Sequence, residues 1–176
     1  MADDPQAMKQ AEALRERALH RLAASMNYWI CTTRPDGRPH TAPVWGVWLD
    51  GALHFGTRGQ KARNLEALPY AIAHIDSSDD VAMVAGKVTP VDDREGIRRI
   101  LEAEHEKYGV VEVTDEPGPF RYYRLEPDEG RAWLDSTTVK IDARWRAGEA
   151  ARPLRGPAPA PGTQTSRIRA AGLADS

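Results

Sequence analysis

The sequence predicts a mainly β chain with flanking helices, an α+β fold, on three observations. Short runs rich in β-branched and aromatic residues recur between Tyr28 and Trp145, separated by Asp-Gly turn signals. Two other stretches, Gln6 to Ala24 and the segment after Asp92 and Asp93, carry apolar residues at helical spacing instead. Beyond Arg146 the composition shifts to Ala, Pro, Gly, Arg and Ser, with almost no large apolar side chain. The chain therefore divides into an N-terminal helix over residues 1–26, a β domain over 27–146 and a tail over 147–176 that is expected to be disordered.

Met8, Ala11, Leu14, Ala18, Leu19 and Leu22 recur every three or four residues, which predicts an amphipathic helix. Pro35-Asp36-Gly37 separates the strands Tyr28 to Thr33 and Pro39 to Leu49, and the glycine supplies the positive φ that a tight hairpin needs. Asp50-Gly51 repeats the signal before a short strand, Ala52 to Gly56. Gln60 to Leu68 carries Ala62, Leu65 and Leu68 at helical spacing and stops at Pro69. Strand character returns over Tyr70 to Ile75 and Val81 to Val91. A second helix then places Ile97, Ile100, Leu101 and His105 on one face and ends at Gly109. Phe120 to Leu125, Gly130 to Asp135 and Val139 to Trp145 read as closing strands.

Composition excludes several functions. With 176 residues and 41% hydrophobic residues, the chain supports one domain with a modest core. A net charge of -2 gives no overall basic field for nucleic acid. Cys31 is the only cysteine, so no intrachain disulfide forms, and no Cys/His spacing suits a metal. Nothing approaches the roughly 20 apolar residues that span a membrane, and residues 1–10 lack the basic-then-apolar order of a secretory signal, so a cytoplasmic location is expected. Hydrolase motifs are absent, His40, His54, His74 and His105 are scattered singly, and Glu102, Glu104 and Glu106 read as a charged helix face. No residue is assigned a catalytic role.

The chemistry concentrates between Phe55 and Leu65, where a strand end passes through Gly56 and Gly59 into a helix. Open N–H groups at a helix start beside Arg58, Lys61 and Arg63 make a local anion site in a slightly acidic chain. A solvated basic turn is the alternative. Upstream, Val44 to Trp48 offers an apolar wall in which Gly46 would let a ring approach the backbone. Trp45 and Trp48 fall on opposite faces of a continuous strand, so at least one of them packs in a core or an interface.

The order of these motifs resembles the pyridoxamine 5'-phosphate oxidase-like proteins. Tyr28 to Trp45, with its Asp36-Gly37-Arg38-Pro39 turn, is similar to their first hairpin. Leu53 to Leu65 resembles their third strand followed by a Lys61-x-x-Asn64-Leu65 helix start. Val84 to Val88 is similar to their fifth strand, and Arg144-Trp145-Arg146 looks like the closing motif of one bacterial subgroup.

The resemblance implies a homodimeric split β-barrel of the FMN-binding-protein type, with FMN or the deazaflavin F420 between the subunits and F420 slightly favoured. It implies that Lys61 and Arg58 bind the cofactor phosphate, that Thr57 adds a hydroxyl, and that Pro43, Val44, Trp45 and Gly46 line the ring. Gln60, Arg63 and Asn64 stand as further candidates, Arg63 for the oligoglutamate tail of F420. The implied activity is hydride transfer between that cofactor and a small organic substrate. A non-catalytic cofactor carrier and a haem-binding relative are the alternatives on the same fold.

Overall fold

The computed structural model describes residues 4–109, 113, 118–135 and 140–153. Helix α1, Pro5–Ala24, starts at Asp4, whose carboxylate accepts from the Gln6 N–H at 3.0 Å. Its buried face, Ala11, Leu14, Ala18 and Leu22, lies across the later strands of the sheet. Arg17 and Arg21 both pair with Asp80, and the hydrogen bond from Arg17 holds the Asp80 carboxyl below its ordinary range.

The strands are β1 Tyr28–Thr33, β2 Pro39–Val44, β3 Val47–Leu49, β4 Ala52–Thr57, β5 Tyr70–His74, β6 Asp80–Val91, β7 Arg121–Asp135 and β8 Lys140–Arg146. They form one antiparallel sheet in the order β2-β1-β5-β6-β7-β4-β3, with β8 also paired to β7. Only Trp45 and Gly46 separate the two ends of this order, β2 and β3, in the chain. Three peptide steps reach at most about 11 Å, so the sheet curls until its ends come together. Helix α2, Gln60–Ala67, and helix α3, Arg94–Tyr108, complete the fold.

The main core gathers Tyr28, Ile30, Leu53, Phe55, Val84 and Leu125 beneath α1. A smaller cluster of Val47, Ile100, Leu101 and Tyr122 lies under α3. Both bury apolar area that drives folding at about 25 cal/mol per Å².

Four features differ from the sequence-based expectation. Pro39 to Leu49 is broken at Trp45–Gly46 rather than continuous, because α3 claims the backbone groups of Gly46. The Gly46 N–H donates to the Tyr108 hydroxyl at 2.9 Å, and the Gly46 carbonyl accepts from Lys107 Nζ at 2.8 Å. The segments 120–125 and 130–135 merge into one strand, β7, with Pro127 opposite an irregularity at Ala85/Gly86 that accommodates its missing N–H. On α3 the inward stripe runs through Ile97, Ile100, Leu101, Glu104 and Tyr108, while His105 is exposed. Finally, residues 147–153 are ordered: Ala151 joins the core, and Arg152 exchanges two 2.8 Å backbone hydrogen bonds with Arg144. The remainder of the tail, 154–176, lies outside the described residues.

Candidate functional site

At the end of β4 the chain turns through Arg58 and Gly59 into α2. Gly59 takes φ 70°, and no side chain caps the helix, so its first N–H groups remain open to an anion. The pairing of Gly56 with Tyr122 and of Thr57 with Arg121 brings the start of β7 alongside. Between this loop, the β2–β3 link and α3 lies a cleft of about 650 Å³, within the range of small-molecule sites.

One end of the cleft is cationic. Lys61 Nζ lies 3.3 Å from the Pro43 carbonyl oxygen, and burial lowers its pKa. The Arg58 guanidinium sits 5.3 Å above the Phe120 ring. Near Lys61, burial and the charges of Arg34 and Lys61 lower the pKa of His40. His40 Nδ1 and Arg34 Nε are buried without a hydrogen-bond partner, but neither residue belongs to the cleft lining.

The wall is apolar and aromatic. Pro43, Val44 and Trp45 supply it, and Trp45, 48% exposed, stacks on Tyr108 at 4.7 Å and 11°. The Tyr108 hydroxyl also lies 2.8 Å from the Met26 carbonyl. Opposite, α3 contributes Leu101 and Glu104, and β7 contributes Tyr122. Burial pushes the Glu104 carboxyl up to about 7, against the opposing charge of Lys107.

Of the residues singled out in the sequence, Pro43, Val44, Trp45, Thr57, Arg58 and Lys61 line the cleft. The other four do not. Gly46 is buried behind the wall, where a Cβ would meet the His54 carbonyl oxygen at 2.8 Å, so its missing side chain serves packing against β4 rather than access for a ring. Asn64 is fully buried; its Nδ2 donates to Thr32 Oγ1 at 2.8 Å and its Oδ1 accepts from Gln60 Nε2 at 2.7 Å, which bolts α2 to β1. Arg63 is exposed and turns to Gln60 Oε1 at 2.9 Å. Sequence reasoning missed Glu104, Tyr108 and Tyr122. The spacing of Ile97, Ile100, Leu101, Glu104 and Tyr108 already marks Glu104 as lying within an apolar stripe, not on a charged face.

The curled antiparallel sheet, its helices and a cleft cationic at one end define an α+β domain with a ligand-sized site. The chain belongs to the pyridoxamine 5'-phosphate oxidase family, whose sequence pattern it matches over residues 14–134. No curated protein matches it. Among solved structures it is similar to a pyridoxamine 5'-phosphate oxidase-related, FMN-binding protein from Nostoc punctiforme, with 18% identity, TM-score 0.61, and 82% of this chain and 96% of that one covered. It is also similar to PhzG from Burkholderia lata in complex with tetrahydrophenazine-1-carboxylic acid, at 18% identity and TM-score 0.57 with 88% and 92% covered. A third likeness is to HutZ, a heme storage protein from Vibrio cholerae, at 16% identity and TM-score 0.55 with 66% and 89% covered. At these identities the likeness establishes the fold. No helix among the described residues is long and apolar enough to cross a membrane.

Proposed function

We propose that this protein is an oxidoreductase that holds a flavin-type cofactor in the cleft and passes hydride between it and a small organic substrate. The observation that carries the reading is the junction, in one cleft, of the uncapped α2 start with Lys61 and Arg58 at one end and the Trp45 wall beside it. A flat apolar ring with an anionic tail needs that pairing. Lys61, Arg58 and Thr57 would hold the phosphate, and Pro43, Val44 and Trp45 would flank the ring. Bound there, the cofactor supplies the hydride chemistry, and the chain supplies orientation and exclusion of water.

Arg63 keeps its charge while it donates to Gln60 but lies off the cleft lining, so the lean to F420 rests on the Arg144-Trp145-Arg146 resemblance alone, while the likeness to an FMN-binding protein supports FMN. Trp45, Phe120 and Met26 are exposed around the cleft and the link behind it, and a second copy of the chain would cover them.

The test is titration of FMN and F420 into wild type and Lys61→Ala. A charge-assisted phosphate contact is worth about 1.5–3 kcal/mol, so the variant is expected to bind ten- to hundredfold more weakly. High salt should weaken wild type more than the variant. Equal affinities in the two proteins would overturn the phosphate assignment. Binding without turnover of any hydride acceptor would instead favour a carrier.

A further inference from the structure

Helix α3 turns its stripe of Ile97, Ile100, Leu101, Glu104 and Tyr108 toward Val47 and Tyr122, and Glu104 occupies a place where this pattern calls for an apolar side chain. Glu104 is only 6% exposed, yet it lines the cleft. It is the one carboxyl group among the described lining residues.

The titratable groups that face it are Lys107 and Tyr108 from its own helix and Tyr122 from β7, with Arg58 and Lys61 elsewhere on the lining. Lys107 is engaged elsewhere. Its ammonium donates to the Gly46 carbonyl at 2.8 Å and to the Tyr28 hydroxyl at 3.3 Å, and it lies over the rings of Tyr28 and Tyr108 at 5.1 and 5.3 Å. Among the described residues no ion pair joins Lys107 to Glu104, and no hydrogen bond to the carboxyl is formed. A carboxylate so placed bears a desolvation penalty that the neutral acid avoids, and burial outweighs the field of Lys107.

We propose that Glu104 serves the cleft as a neutral carboxylic acid, donating a hydrogen bond to an acceptor atom of the flat heterocycle bound there. The inference rests on the flavin reading above. Flavin and deazaflavin rings carry carbonyl oxygens and ring nitrogens as acceptors against a single ring N–H, so a donor at this wall has more partners than an acceptor would. Seating a ring over Glu104 removes further water from the carboxyl and strengthens the preference for the acid. Ring binding is therefore tied to the proton on Glu104. Above neutral pH it draws a proton from solution, and affinity falls by up to about tenfold per pH unit.

The probes are riboflavin, FMN and F420, followed by fluorescence between about pH 6 and pH 9. Riboflavin lacks the phosphate, so phosphate ionisation does not enter its profile. Wild type is expected to lose affinity as pH rises past neutrality. Glu104→Gln keeps a donor and cannot ionise, so it should match wild type at the acid end and hold its affinity at the alkaline end. Glu104→Leu should bind weakly throughout.

A readout without any cofactor is the carboxyl carbon signal of labelled glutamate that disappears in Glu104→Gln. It is expected to titrate near neutrality, and titration in the ordinary carboxylate range would overturn the proposal. Parallel pH profiles for wild type and Glu104→Gln would overturn it too, while leaving the flavin reading intact. Failure of all three probes to bind wild type at any pH would overturn the flavin reading and this inference with it.

Discussion

Glu104 keeps its proton in the folded chain up to about pH 7, well above the range of a glutamate in water. The folded state then binds more protons than the unfolded state between those two values. The stability this confers is fully present below the unfolded pKa and is lost as pH rises through the folded one. Glu104→Gln is therefore expected to gain melting temperature relative to wild type at about pH 8 and to match it near pH 4, measured by thermal unfolding in both buffers. An equal difference at both pH values would show a carboxyl ionised throughout. His54 acts in the opposite direction: burial lowers its pKa, so its contribution is present above the unfolded value and is lost as pH falls through the folded one. Asn64 illustrates a different lesson, since a polar residue beside a cationic loop invites a ligand role, yet both its amide atoms are satisfied inside the protein.

The C-terminal turn of α3 positions the cleft wall through backbone groups. Tyr108 and Lys107 bind the N–H and the carbonyl of Gly46, and the Tyr108 ring backs Trp45. Trp45 is thus oriented by the end of a helix, with Tyr108 more than 60 residues away in the chain. Tyr108→Phe keeps the stacked ring but leaves the Gly46 N–H without its acceptor, at a cost of about 1–3 kcal/mol. Urea unfolding should show that loss, and cofactor affinity should fall with it as the link loosens. An unchanged midpoint would mean that water replaces the hydroxyl without penalty. The α2 end behaves differently, because its site depends on helix geometry and local charge and needs no distant hydroxyl.

For the molecule as a whole, the apolar surface around the cleft bears on assembly. Trp45, Phe120 and Met26 are all more than 40% exposed, and light scattering is expected to give twice the 19.5 kDa of one chain. A monomer at micromolar concentration would leave that surface to another partner. The segment after β8 also contributes to the fold: the Ala151 N–H donates to Glu12 Oε2 at 2.9 Å, tying it to α1. A chain ending at Ala147 is accordingly expected to melt several degrees below one ending at Pro153, a difference of about 2–3 kcal/mol from the lost backbone hydrogen bonds and burial. Equal melting temperatures would show that these contacts add nothing to stability.

The sequence by itself determined what depends on near neighbours. Apolar spacing marked α1 and α3 within two residues of their ends, and the Asp-Gly pairs marked both hairpins, where Asp50 and Gly51 take φ 50° and 76°. The cationic α2 start was legible because Arg58, Gly59 and Lys61 lie within one turn of each other. Only the tertiary structure decided which residues share the cleft. Whether Glu104 meets solvent or a cavity, whether Asn64 is free or bolted to Thr32, and why the chain breaks at Gly46 all depend on side chains 30 to 60 positions apart. Local periodicity reports which face of an element turns inward, but not what it meets there. That is settled by the register of the sheet and the docking of α3, and it made a residue on an apparently charged helix face into a buried acid.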